Sequence, residues 1–452
     1  MKKILIIAYY FPPLGGGGIQ RPLKFCKHFP DFGFQPVVLT SKNGVGPIYD
    51  ESLLDELNMY KNIKVYRTLS FEFGGLKKLF LGRKNKQNAE AEKITDLLLD
   101  QNPEIDKNHK KRKKKKVKIN FSFFFQLLYN FFFSVQKKVC IPDDKILWAL
   151  PAFFSAMKII ERENIEYIFV TIPPYSSFVL GALLKFFSKR KLIVDYRDPW
   201  NVPEKNKIIN YFLEKNCLKA ADGIICAVPR IDEFLENQFD LKKKSRGIVY
   251  NGYDADDYKN ISFWKFEKYT LISGGDLYGI ENIYFFKILE EFLLENKHIK
   301  DNFQLLICSN YSDWFEKYLE KSSIKSHIIN LGPQPKAEYL KYLKGSNAAV
   351  IFAYADYKTT NHIQVHGRVF DYLFLKKNLL VIGKKNMELT EFLDSYSFEY
   401  EYAEYDRKEE VKNALKIMFD KRENPPQQIN IGQFSRKKLT KKLSEFLLKN
   451  DK

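Results

Sequence analysis

Cysteine is scarce in this chain and poorly placed for a framework. Cys26, Cys140, Cys217, Cys226 and Cys308 are odd in number, scattered, and mostly set inside apolar runs. No C-x-x-C or other metal-ligand spacing occurs, which argues against a disulfide scaffold and points to a reduced, cytoplasmic protein. His362 and His366 stand four apart, but no Glu follows His362 and no third ligand is evident. That spacing reads as accidental, and no metal is expected. Uninterrupted apolar runs of about 18 residues are also missing, so no transmembrane helix is expected. Lys2 and Lys3 before Ile4–Ala8 imitate a secretory leader, yet the run is short, stops at Pro12-Pro13 and lacks a small-residue cleavage site.

Two nucleotide signatures are absent as well. The glycines Gly15, Gly16, Gly17 and Gly18 form a tight run without G-x-G-x-x-G spacing, and no Gly-Lys-Ser/Thr follows them. The second expected strand, Pro36 to Leu39, runs out at Thr40 and Ser41 with no carboxylate for a ribose. A dinucleotide-dependent oxidoreductase and a P-loop nucleotidase are therefore both disfavoured.

What is present begins with size and charge. A chain of 452 residues exceeds one ordinary core, so two domains are expected. Hydrophobic residues make up 45% and aromatics 15%, which excludes a disordered chain. The formal net charge of +19 implies an anionic partner: nucleic acid, an acidic membrane surface or phosphorylated substrates.

The stretch from Lys3 to Phe25 carries the clearest local design. Ile4 to Ala8 reads as a strand buried on both faces. Pro12 and Pro13 stop it, the glycines follow, and helical spacing begins at Ile19. A strand, a glycine loop and a helix N-terminus suit an anion, because backbone N–H groups approach closely and the helix end is positive. A plain surface loop fits the same glycines.

Strand and helix then alternate. Strands are expected at Asn62–Arg67, Tyr167–Thr171, Lys191–Tyr196 and Asp222–Ala227, with helices at Leu147–Arg162 and Phe178–Phe187, and Gly247–Tyr250 leads into a turn. Such βα rhythm builds an open parallel sheet whose ligands bind beyond the carboxyl ends of strands. The glycine loop, Thr171–Ser177 and Asp195–Trp200 should therefore face one crevice. A local ion pair holding a turn fits Arg197 and Asp198 equally. After the turn Asn251-Gly252-Tyr253-Asp254, a second series follows: strands at Tyr269–Ser273, Gln304–Cys308, Ile328–Leu331, Ala348–Phe352 and Leu379–Ile382, with helices near Asn282–Asn296, Lys336–Lys344, Gly367–Leu375 and Lys408–Asp420. The expected fold class is α/β, with two Rossmann-like, doubly wound domains facing a deep cleft.

One segment breaks the rhythm. From residue 83 to 139 the chain is first polar, with KNHKKRKKKKVK from Lys107, then dense in Phe and Leu from Phe121 to Val139. The lysines suit a solvated run, and the aromatic part suits either a core helix or a helix lying on an anionic membrane surface. No nucleic-acid module surrounds the basic run, so nucleic acid is not the expected partner.

Eight stretches occur in a meaningful order: AYYFPPLGGGGIQRPLKF, IPDDKILW, VTIPPYSS, VDYRDPWN, VYNGYD, ISGGDLYG, GRVFDYL and FSRKKLTKKLSEFL. Together they resemble bacterial family 4 glycosyltransferases, in the branch with D-F-R-D-P-W and G-K-L-F-E-Y-L type stretches. The resemblance spans nearly the whole chain apart from the basic insert. It implies retaining enzymes of the two-domain GT-B fold, without an obligatory cofactor or metal. A nucleoside-diphosphate sugar would be the donor, and a lipid-linked or saccharide acceptor would receive the sugar in surface-polysaccharide synthesis at the inner face of the cytoplasmic membrane. Residues 1–250 would form the acceptor-side domain and 251–432 the donor-binding domain. Residues 433–452 would supply a terminal helix packing back on the first.

The resemblance places Asp371 at the ribose, where the family has Glu. Arg368, Gly274, Gly275 and Tyr278 fall on the donor side. Gly16, Gly17, Arg197 and Asp198 fall at the reacting centre, and Tyr175, Ser176, Arg21 and Trp200 on the acceptor side. Cationic groups and oriented N–H groups are what a departing diphosphate needs. The chain departs from the pattern at Glu281, where an Arg is usual, at the shorter Asp371, and at Lys377-Asn378-Leu379. A catalytically degenerate relative acting as a membrane-surface scaffold is the alternative those departures suggest.

Overall fold

The computed structural model describes residues 1–46, 48–60, 63–71, 140–200, 206–275, 277, 282–310, 313–353, 364–384, 388–421, 424–427 and 430–449. The basic and aromatic insert 83–139, Tyr278, Glu281 and His362 lie outside the described residues.

Two parallel sheets carry the molecule. The first holds β1 (Lys2–Ile7), β3 (Phe34–Ser41), β5 (Lys64–Thr68), β6 (Tyr167–Ile172), β7 (Lys191–Tyr196), β8 (Gly223–Cys226) and β9 (Ser245–Ile248), in the order β5-β3-β1-β6-β7-β8-β9. The second holds β10 (Tyr269–Ser273), β11 (Phe303–Ile307), β12 (Ile328–Asn330), β13 (Ala348–Ala353), β14 (Asn378–Gly383) and β15 (Glu401–Glu404), in the order β12-β11-β10-β13-β14-β15. In each sheet the order reverses beside the first strand, between β1 and β6 and between β10 and β13. Ligands of open α/β sheets bind at such a reversal. The inner strands are apolar on both faces, as helices on both sides require: Tyr167–Ile172 and Ala348–Ala353 are buried throughout.

Leu14–Gly15 and Ile48–Tyr49 form a short antiparallel pair, β2 and β4, that folds the glycine loop over the sheet. A Cβ on Gly15 would meet Ile48 Cγ1 at 2.6 Å, so glycine permits that approach. Arg67 Nη2 ties the loop from the other side, donating to the Pro12 carbonyl at 2.6 Å.

The chain crosses between the sheets at Tyr250–Tyr253 and returns beside itself at Phe434–Arg436. The Tyr253 N–H donates to Phe434 O at 3.2 Å, and the Arg436 N–H donates to Tyr253 O at 2.8 Å. The terminal helix Arg436–Lys449 then lies against the first sheet's side of the molecule. Leu439, Leu443 and Leu447 enter the core formed with Leu23, Cys26, Ile193 and Ile225. Burying such a leucine contributes about 1.5–3 kcal/mol, so this helix is firmly held.

Several elements have no counterpart in the sequence-based expectation. They include the helices Ser52–Met59, Lys207–Ala220, Pro229–Gln238, Asp313–Lys321 and Glu388–Ser395, and the edge strand β15. The helix after the glycine loop begins at Gly17, two residues before its apolar spacing does.

Candidate functional site

A cavity of about 560 Å³ lies between the carboxyl ends of the two sheets. That size falls in the usual range for small-molecule sites. Its walls include Gly16, Gly17, Arg197 and Asp198 from the first half, and Gly274, Gly275, Arg368 and Asp371 from the second. Arg21, Tyr175, Ser176 and Trp200 are not among its lining residues. Tyr175 stacks on Trp200, with ring centroids 5.1 Å apart, and its hydroxyl donates to Pro199 O at 2.7 Å. Ser176 is fully buried, and its N–H donates to Asp143 Oδ2 at 3.0 Å.

Arg21 is enclosed within the first half. Its Nε donates to Asp195 Oδ2 at 2.9 Å, its Nη2 to Asp195 Oδ1 at 2.7 Å, and its Nη1 to Tyr250 O at 2.7 Å. Thr171 Oγ1 adds a bond to the same carboxylate at 2.9 Å. This buried fork ties the helix Gly17–His28 to β6, β7 and the crossing segment.

Arg197 reaches the cavity wall, but its donors are committed to backbone. Pro22 sits inside the helix Gly17–His28 and has no N–H to give the carbonyl four residues earlier. That carbonyl belongs to Gly18, and Arg197 Nη1 donates to it at 2.7 Å. Nε donates to Ile172 O at 3.1 Å, and Nη2 to Pro173 O. Burial lowers the Arg197 pKa, with Asp198 and Asp195 opposing that shift. The guanidinium thereby fixes the helix start that bears Gly16 and Gly17. Gly16 has φ of 113°, in the left-handed region that suits glycine, while a Cβ on Gly17 would meet nothing within 4 Å.

Asp198 is half-buried, and desolvation raises its pKa against the pull of Arg197. It bridges to the second half by accepting from Gln364 Nε2 at 2.6 Å. Two further bonds cross the cleft. The Lys336 N–H donates to Asp50 Oδ2 at 3.3 Å, and Asn251 Nδ2 donates to Val365 O at 3.2 Å.

The second wall is charged differently. Asp371, on the helix Gly367–Phe374, accepts from the Tyr258 hydroxyl and from Lys336 Nζ at 3.1 Å. Lys336 also lies 3.5 Å from Asp257, which pairs with the buried Lys24. Arg368, one turn before Asp371, makes no hydrogen bond or ion pair among the described residues. It lies across Gly275, where a Cβ would overlap its guanidinium, and Gly274 likewise leaves room for the Tyr339 ring. His366 is held neutral, its pKa pushed down to about 3 by burial and by the charge of Arg368.

Sequence patterns did not single out Lys336, Gln364, Ser309 or Arg436, and all four line the cavity. Ser309 Oγ is buried without a hydrogen-bond partner, as is Nη1 of Arg436. The pattern held one clue to Arg436. It continues the stripe of Leu439, Leu443 and Leu447 at helical spacing, so a charge there had to face inward. Among the described residues no cluster of His, Cys, Asp or Glu could hold a metal ion, and no helix is long and apolar enough to cross a membrane.

No protein-family model matches the chain, and no curated protein matches it. Solved structures do match. Anabaena Alr3699/HepE, in complex with UDP and glucose, superposes with a TM-score of 0.55 at 11% identity, covering 99% of this chain and 100% of that one. An α,α-trehalose-phosphate synthase (UDP-forming) from Burkholderia vietnamiensis gives 0.53 at 9% identity, covering 100% and 98%. A Listeria monocytogenes protein assigned as a UDP-N-acetylglucosamine 2-epimerase gives 0.51 at 11% identity, covering 98% and 95%. What identities this low establish is architecture, and the chain has the GT-B fold: two Rossmann-like domains facing one another across a cleft.

Proposed function

We propose that this protein is a glycosyltransferase that moves a sugar from a nucleoside-diphosphate donor to a lipid-linked or saccharide acceptor. One observation carries the reading: the interdomain cavity has uncommitted guanidinium groups on its second wall and a glycine-rich helix start on its first. In the proposed arrangement the diphosphate lies between Arg368 and the N–H groups at Gly16–Gly18. Asp371 meets the ribose hydroxyls, since a carboxylate already holding two donors keeps further acceptor sites. As the bond from the sugar's C1 to the diphosphate oxygen breaks, charge grows on that oxygen, and preorganised donors stabilise it. The acceptor oxygen bonds to C1 and passes its proton to the departing diphosphate oxygen. Retention of configuration and a place in surface-polysaccharide synthesis are proposed on the resemblance of the motifs. The three solved proteins support the donor class, since each one's description includes UDP or a UDP-sugar.

The proposal extends to the membrane surface. Leu150 and Phe154, then Leu183, Phe186 and Phe187, then Ile208, Ile209 and Phe212 are exposed on three successive helices. Phe153 joins the first two helices, 5.5 Å from Phe154 and 5.4 Å from Phe187. Lys189 lies over Phe186, and Lys215 over Tyr211. Large apolar side chains edged by cations match a bilayer rich in anionic headgroups.

A second reading, a scaffold that binds no donor, draws on the capture of Asp371 by Lys336 and Tyr258. A thermal-shift screen against nucleotides and nucleotide sugars separates the two. A ligand at one hundred times its Kd stabilises the folded state by about 2.7 kcal/mol. A rise in melting temperature with a nucleotide sugar is expected. No response to any member of the panel would favour the scaffold.

A further inference from the structure

We propose that Arg436, on the first turn of the terminal helix, binds the donor's diphosphate directly, so that donor binding engages the segment that returns to the N-terminal domain. This rests on the nucleotide-sugar reading above and adds a residue from outside both sheets.

The argument starts from burial. Arg436 is 4% exposed, yet its Nη1 has no hydrogen-bond partner, and the residue makes no ion pair among the described residues. A buried donor without a partner is costly, and a buried charge more so. Such a group is tolerated when something outside the chain completes it. Asp371, Asp257 and Asp254 lie near enough to favour its charge, and Arg21 near enough to oppose it. Burial lowers its pKa to about 10, so it remains a cation at neutral pH.

Position supplies the second step. Arg436 lines the same cavity as Gly16–Gly18 and Arg368. The helices Gly17–His28, Gly367–Phe374 and Arg436–Lys449 each present their first turn there. Their positive ends add to the two guanidinium groups, and the shared target is an anion with several oxygens. A planar guanidinium suits two such oxygens at once.

The main-chain bonds of Arg436 make the inference distinctive. Its N–H is held by Tyr253 O, in the crossing segment, and its O accepts from Thr440 Oγ1 at 2.7 Å. A ligand on its side chain therefore bears directly on both crossings of the chain between the two domains.

The test uses the full-length protein with UDP, uridine and inorganic pyrophosphate as probes, followed by calorimetry. Arg436→Met is expected to weaken UDP and pyrophosphate about tenfold to a hundredfold, the loss of a charge-assisted pair, while uridine binding stays unchanged. Arg436→Lys, which keeps the charge on a similar aliphatic stem, should fold as the parent does and lose less. Equal UDP affinity in the parent and both variants would overturn the inference, as would a parallel loss of UDP and uridine, which marks a purely structural arginine. If the parent protein bound neither UDP nor GDP, ADP, CDP or dTDP, the nucleotide-sugar reading itself would fail, and the inference with it. Should Arg436→Met not fold, the lysine variant and pyrophosphate competition against UDP in the parent still decide the matter.

Discussion

The two walls of the cleft both carry cations, but they use them in opposite ways. On the first wall Arg197 is spent on three carbonyls, and behind that wall Arg21 is spent on Asp195 and Tyr250 O and Lys24 on Glu56 and Asp257. On the second wall Arg368 makes no such bond among the described residues, and Arg436, from the returning helix, keeps an unpartnered nitrogen. A buried guanidinium cannot turn to a ligand without stranding the carbonyls it serves. The first wall therefore offers backbone and shape, and the second offers charge. Charged residues in one motif-rich chain divide into those that build the site and those that face its contents, and hydrogen-bond partners, not residue type, decide which is which.

The comparison breaks most visibly at Arg21. Arg21→Met leaves the Asp195 carboxylate buried and unpaired, a change that costs about 3–5 kcal/mol. Urea denaturation should show that loss, and adding Asp195→Leu should recover much of it. Unchanged stability with weaker acceptor binding would instead make Arg21 a cleft ligand. Arg368→Met makes the opposite case. It strands no partner, so stability should move by only about 0.5 kcal/mol, while UDP affinity measured by calorimetry falls at least tenfold. A large stability loss there would erase the distinction between the walls.

The glycines sharpen the contrast at smaller magnitude. Gly17 has open space where a Cβ would go, whereas Gly275 has the Arg368 guanidinium. Gly17→Leu should fill the first wall and suppress sugar transfer several-fold more than it weakens UDP. Gly275→Ala should do the reverse, weakening UDP by displacing Arg368. Gly16 is a poorer probe, since its φ of 113° makes any side chain there a folding defect as well.

Much of this was legible in the chain. Buried strands announce themselves as apolar runs, and Lys191–Tyr196, Tyr269–Ser273 and the helix Lys408–Asp420 fall where their composition puts them. Amphipathic elements with weak patterns, such as Lys207–Ala220, do not. The positions of Arg197 and Arg436 show the deeper limit. Arg197 stands in a motif-like stretch, but its work is set by Pro22, 175 positions away and adjacent only in the fold. Arg436 sits among Lys437 and Lys438, which are exposed, and only the leucine stripe beyond it separates a buried cation from solvated ones. Tertiary contacts assign those roles, and local propensity does not carry them.

A last test asks how each of the two domains buries negative charge. Glu214, in the first, is pushed up to about 8 by burial, with the hydrogen bond from the Tyr196 hydroxyl opposing. Glu388, in the second, is pushed to about 7 by burial, with Arg230 opposing. Both folded values stand above the ordinary 4.5. A raised carboxyl gives stability that is complete below its unfolded pKa and is lost as pH rises through the folded one. The protein should therefore weaken from pH 4.5 toward pH 8, by at most about 1.4 kcal/mol per pH unit for each group. Glu214→Gln retains an oxygen for Tyr196 and removes the proton, so it should flatten the slope between pH 7 and 8, where Glu388 has largely finished titrating. Glu388→Gln should flatten it between pH 6 and 7 and leave the upper part. Melting temperatures across that range read both, and a slope indifferent to either substitution would place the pH dependence elsewhere in the fold.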